Sequence, residues 1–174
     1  REHGVDCVIR APEDLRFGPE GLADADGPID MVYNRLTDFA LEEASHADLR
    51  QAYLAGDVAL TPHPRAHALF ADKRNLAVLG DAALLGGFGV DAGLTALLAE
   101  VIPTTVEVVP GNRDALWAAR NGYFFKPAAG FGSRGSYRGD KLTRRTWESM
   151  ASATYIAQAF APPSMRIVHG GHSL

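Results

Sequence analysis

Cysteine is nearly absent: Cys7 stands alone in a chain of 174 residues. That scarcity excludes an internal disulfide framework and a cysteine-based zinc cluster, and it fits a cytoplasmic setting. Long apolar runs are missing too, since none approaches the roughly 18 to 20 residues a membrane-spanning helix needs, so no membrane partner is expected. Excess positive charge is also lacking. Lys and Arg total 17 against 21 Asp and Glu, a net charge of −4, which argues against a nucleic-acid partner. Acidic residues end early, with no Asp or Glu after Glu148. The first residue is Arg1 rather than methionine. The chain is therefore expected to be a piece of something longer.

What is present suits one soluble globular domain or two small lobes: 47% hydrophobic and 22% charged residues. "VDCVIR" (5–10) and "PIDMVYN" (28–34) read as strands joined by a Pro/Gly/Asp-rich connection, with Cys7 buried in the first. From Phe39 an apolar face of Leu41, Ala44, Leu49, Ala52 and Tyr53 predicts a helix that Gly56 stops, followed by a strand "DVALTP" (57–62). Strand, helix, strand in that order predicts a parallel α/β unit. Residues 64–85 read as helix broken near Asp72, and 91–102 as a second helix ended by Pro103. A strand (104–110), a short helix capped by Asn112, and an Asn121-Gly122 turn lead into "YFFKP". After the glycine-rich stretch come a helix beginning at a Thr143 cap and a last strand "TYIAQAF" (154–160).

The stretch "YFFKPAAGFGSRGSYRGDK" (123–141) carries the chemistry. Glycines at 130, 132, 135 and 139 alternate with Ser133, Arg134, Ser136 and Arg138, and Lys126 precedes them on a strand. Glycine lets backbone N–H groups turn toward a ligand, while hydroxyls, guanidinium groups and an ammonium add donors, so a phosphate is the natural guest. A Walker A loop is excluded, because Ser136 and Tyr137 follow Gly135 where lysine and a hydroxyl residue belong. Gly130, Gly132 and Gly135 match the spacing of a dinucleotide fingerprint, yet "SYRGDKLT" continues as a polar hairpin and not as the required helix.

Strand with Lys-Pro, Gly/Ser loop, short strand, helix, then "YIAQAF" with a break after it: in this order the chain resembles the ATP-grasp superfamily, near its glutathione-synthetase-like group and uncharacterised bacterial members. The resemblance implies an α/β (α+β) architecture: a small parallel pre-ATP-grasp domain over 1–72 and the front of an incomplete ATP-grasp domain over 73–174. It implies ATP as cofactor, and an ATP-dependent carboxylate–amine or carboxylate–thiol ligase acting through an acyl phosphate. Lys73 in "DKRNL" and Lys126 match the phosphate-contacting lysines. Gly130, Gly132, Ser133, Arg134, Gly135 and Ser136 match the loop that closes on the triphosphate, and Gln158, Ala159 and Phe160 match the hinge beside the adenine.

The resemblance implies Mg²⁺ as well, with its ligands outside this chain because carboxylates are missing after Glu148; Asp72, Asp81 and Glu107 are the upstream alternatives. Implied partners are a nucleotide and a small carboxylate, with a second copy of the chain as a further option. Turnover by residues 1–174 alone is not expected; a non-catalytic nucleotide- or partner-binding module is the alternative. Apolar residues of "TYIAQAF" and "SMRIV" are expected to form an exposed patch or an interface.

Other residues have plainer readings. His63 and His67 lie four apart, a spacing that suits a metal, but Pro64 between them and the lack of a third ligand favour separate roles. Trp117 and Trp147 read as core. Arg35 suits either a substrate carboxylate or a surface pair with Asp38.

Overall fold

The computed structural model describes residues 4–164 as a mixed α/β protein in two compact units, Arg1–Phe70 and Ala71–Leu174. The part of "SMRIV" beyond Ser164 lies outside the described residues.

The first unit opens with an antiparallel meander of β1 (Arg16–Gly18), β2 (Gly21–Asp24) and β3 (Gly27–Pro28). These strands occupy the connection that the sequence suggested would be irregular. Strands of two to four residues are too short to display a period of two, and the Gly/Asp signals that punctuate them are their turns. The opposite correction applies to residues 5–10, which pair with no described strand; Ile9 is 96% exposed and Cys7 is exposed. Branched side chains favour a strand only where a neighbour covers them.

β4 (Met31–Tyr33) and β5 (Ala59–Thr61) pair in parallel, with α1 (Ala47–Ala55) between them in sequence, as the strand-helix-strand order predicts. The helix begins later than its apolar spacing suggests. Asp38 accepts hydrogen bonds from the Glu43 N–H (2.8 Å) and from the His46 ring (2.7 Å), and a 3₁₀ turn at Ala44–His46 precedes α1. Gly56 ends it in the left-handed conformation at φ 73°. Leu22, Leu41, Leu49, Ala52 and Leu60 form the core of this unit, and α2 (Pro64–Phe70) follows β5 in sequence.

In the second unit α3 (Asn75–Leu79), α4 (Ala82–Gly87) and α5 (Ala92–Val101) replace the two helices expected there. Gly80 ends α3 and Asp81 starts the next helix, its carboxylate accepting from the N–H groups of Ala83 and Leu84. A four-stranded antiparallel sheet comes next, in the order β6 (Thr105–Glu107), β9 (Tyr155–Ala159), β7 (Tyr123–Pro127), β8 (Tyr137–Arg138). α6 (Arg113–Ala118) and α7 (Arg144–Ser149) complete the unit. Thr143 caps α7 through Thr146 N–H as expected, whereas Asn112 does not cap α6; its amide bridges Val109 N–H and the Glu107 carbonyl.

β9 lies between β6 and β7, and Tyr155, Ile156 and Ala157 are buried. The exposed patch expected from "TYIAQAF" is therefore absent from these residues: strands flank them on both sides, and Tyr155 and Ala157 belong to the aromatic core. That core contains Phe125, Trp147, Met150 and Leu142, with the ring of Phe125 meeting Trp147 edge-on at 5.2 Å.

Candidate functional site

Strand alternation sorts the sheet of the second unit into two faces. Phe125, Tyr155 and Ala157 belong to the aromatic core, which leaves Phe124, Lys126, Ile156 and Gln158 for the other face. Lys126 and Gln158, 32 residues apart in sequence, meet there: the Lys126 ammonium donates to Gln158 Oε1 at 2.7 Å. Lys126 is half-buried and has no carboxylate partner among the described residues. A neutral amide oxygen satisfies one of its three donors and balances none of its charge.

The orientation of Gln158 is itself fixed. The Thr105 hydroxyl donates to the Pro103 carbonyl at 2.8 Å, so its oxygen is left to accept from Gln158 Nε2 at 3.1 Å, and the amide oxygen must face Lys126. Thr105 is 7% exposed. In the sequence its one signal is its place at the start of an alternating strand. Thr105→Val is expected to cost about 1–2 kcal/mol of stability in urea denaturation, because a half-buried amide donor loses its acceptor, and Thr105→Ser to restore most of it.

The glycine segment divides into two parts. Gly130, Gly132 and Gly135 have φ of 131°, 60° and 69°, and Ser133 between them has 57°. Such backbone turns successive amides in ways β-carbon-bearing residues resist, which is what an anion cradle requires. Lys73 is tied to the same segment twice, by its N–H to the Ala128 carbonyl (2.9 Å) and its ammonium to the Gly130 carbonyl (3.0 Å). Gly139 has a different purpose: a Cβ there would lie 1.8 Å from the Arg120 carbonyl oxygen, so its glycine is needed for packing. After Gly135 the chain enters β8 and a 3₁₀ turn, not a helix, in keeping with the exclusion of a dinucleotide fingerprint.

Thus Lys126 and Gln158 come together, as do Lys73 and the loop. Arg134 is exposed and has no ion-pair partner among the described residues, whereas Arg138 pairs with Asp140 at 2.9 Å. Ser136 N–H is used within the loop, by the Ser133 carbonyl. The backbone N–H groups of Ala159 and Phe160 donate to the Thr104 and Gly122 carbonyls, so neither is free for a purine. An aromatic wall stands beside them: Phe124 and Phe160 stack at 6.0 Å, with Arg138 over Phe160 at 5.0 Å.

The chain matches no protein-family model, and no curated protein matches its sequence. The site must be judged on its own chemistry.

Of the three upstream carboxylates, two are engaged elsewhere, while Glu107 stands opposite Ile156 in register and so on the Lys126 face of the sheet. Asp72 is held by Arg74 at 2.6 Å, an interaction that, with the Arg74 N–H, keeps its carboxyl below the usual range; Asp81 caps α4. Among the described residues the group with metal-ligand spacing is Asp38, Glu43 and His46, in the first unit. His63 and His67 have separate partners, as anticipated: His63 Nδ1 meets Tyr53 and the Ala66 N–H, and His67 stacks on Phe39 at 3.8 Å. Trp147 is core, and Trp117 packs against it beneath Arg120 and Arg144.

Proposed function

We propose that the second unit binds the phosphates of a nucleotide, ATP being the reading that the resemblance to ATP-grasp proteins favours. The observation that carries this is Lys126, a half-buried ammonium with no carboxylate partner among the described residues, held by Gln158 on a sheet face. A cation in that position gains most from an anion, since partial burial strengthens the attraction and no carboxylate pairs with it among the described residues. Lys73 and the positive-φ loop from Gly130 to Gly135 support the same reading, because both bring donors to the segment just beyond Lys126. The Phe124–Phe160 stack offers an apolar surface on which a base could lie.

On this reading the first unit corresponds to a pre-ATP-grasp domain and the second to the front of an ATP-grasp domain. The activity of the whole protein would be ligation of a carboxylate to an amine or thiol through an acyl phosphate. Phosphoryl transfer depends on positioning and charge stabilisation, and in that scheme Lys126 fixes a phosphate while the glycine loop excludes water. Mg²⁺ ligands are not part of this assignment. The engagement of Asp72 by Arg74 and of Asp140 by Arg138 favours a second reading for residues 1–174 by themselves, a unit that holds nucleotide without turning it over.

Lys126→Ala tests the assignment. Calorimetric titration with ATP is expected to show affinity lowered by about 1.5–3 kcal/mol, roughly 10- to 150-fold, the range for a lost charge-assisted hydrogen bond. The thermal transition should stay close to that of the parent. Equal affinity in parent and folded variant would remove Lys126 from the site.

A further inference from the structure

Side chains tie together the loops at the ends of the two parallel strands of the first unit. Asn34, buried at the end of β4, donates from Nδ2 to the Pro62 carbonyl beyond β5 (3.3 Å) and accepts from Leu36 N–H (2.9 Å). His63 joins the second loop to α1 through the Tyr53 hydroxyl, and the Phe39–His67 stack joins the first loop to α2. These ties frame an open cleft of about 610 Å³ lined by Asp38, Phe39, Arg50, Tyr53, Arg65 and His67. It lies outside the carboxyl ends of β4 and β5, where parallel α/β sheets place ligands.

Four charged side chains line this cleft, Asp38, the exposed Glu42, Arg50 and Arg65, and they are unequal in their engagement. Asp38 is committed: burial opposes its ionisation, but the Glu43 N–H and His46 outweigh that and hold its carboxyl below the usual range. Arg50 and Arg65 have no hydrogen-bond or ion-pair partner among the described residues. Two unengaged guanidinium groups beside an aromatic wall match a planar organic anion, since guanidinium forks fit a carboxylate and the rings fit its body.

We infer that this cleft is a binding site for a small carboxylate with a flat apolar body, recognised by Arg50 and Arg65 against the Phe39–His67 stack. Arg35, the residue that the sequence suggested for such a role, does not line it. The inference stands independently of the nucleotide reading, because every residue in it belongs to the first unit.

Benzoate is a suitable probe, titrated into the isotopically labelled full chain and followed by amide and arginine Nε–H resonances. Saturable shifts are expected at Arg50, Arg65 and His67, with Kd on the order of 1 mM for so small a ligand. The double variant Arg50→Gln, Arg65→Gln should bind about tenfold more weakly or not at all, with an unchanged circular dichroism spectrum. Benzylamine, of the same shape and opposite charge, should leave these resonances in place. The inference is overturned if benzoate shifts none of them, if the double variant binds as well as the parent, if benzylamine binds equally, or if inorganic phosphate alone occupies the cleft.

Discussion

Gly139→Ala is expected to destabilise the second unit by about 3 kcal/mol or more, at or beyond the usual upper limit for overpacking. The added Cβ would meet the Arg120 carbonyl oxygen at 1.8 Å, the Arg120 carbonyl carbon at 2.6 Å and the Tyr123 carbonyl oxygen at 2.9 Å. All three atoms are backbone, so no side chain can swing away. Relief requires moving the 3₁₀ turn Gly139–Lys141 off the turn Arg120–Gly122, which is the junction that aims β7 and its Lys126 into the sheet. A loss of that size is a large part of the roughly 5–15 kcal/mol that stabilises a domain. Urea denaturation followed by tryptophan fluorescence measures it; a midpoint like that of the parent would show that the turns do not touch. Substitution of Gly132, where a Cβ meets nothing within 4 Å, isolates the φ penalty and should cost about 1 kcal/mol.

Trp147→Ala is expected to cost about 3–5 kcal/mol, the range for removing a large buried aromatic. Trp147 is 2% exposed, meets Phe125 edge-on at 5.2 Å and Trp117 at 5.9 Å, and has the Arg113 guanidinium over its ring at 4.3 Å. Truncation leaves a cavity that the sheet cannot close, because Phe125 and Ala157 are pinned by strand pairing on both sides. Trp147→Phe should recover roughly half of the loss. A truncation costing less than about 1 kcal/mol would mean that α7 does not pack on this sheet.

The two large effects concern residues whose roles were unequally legible. Trp147 was readable as core from its helical spacing among apolar neighbours. Gly139 was not, since its spacing placed it with the three glycines proposed to face a phosphate, and only the approach of a turn upstream in sequence separates it from them. Long-range pairing explains the other omissions. Lys126 and Gln158 were each identifiable, but their hydrogen bond arises from the antiparallel register of β7 and β9, which local pattern does not encode. Thr105 was invisible for the same reason.

Elements with a strong period or a distinct punctuating residue were clear: β7 and β9, the Thr143 cap and the Gly56 stop. Asp38 illustrates the limit, because its capture of Glu43 N–H and His46 delays α1 against the apolar spacing that begins at Leu41. The three-stranded meander from Arg16 to Pro28 escaped notice because its strands are shorter than any periodicity test.

Nucleotide binding by the second unit is the central claim, and mapping ATP onto the labelled full chain by two-dimensional NMR tests it most directly. Saturable perturbations are predicted along Lys126 and Gly130 to Ser136, at Gln158 and at the Lys73 amide, with inorganic triphosphate reproducing those at Lys126 and the loop. No saturable change in Lys126 and the loop, or changes confined to the Arg50–Arg65 cleft, would contradict the assignment.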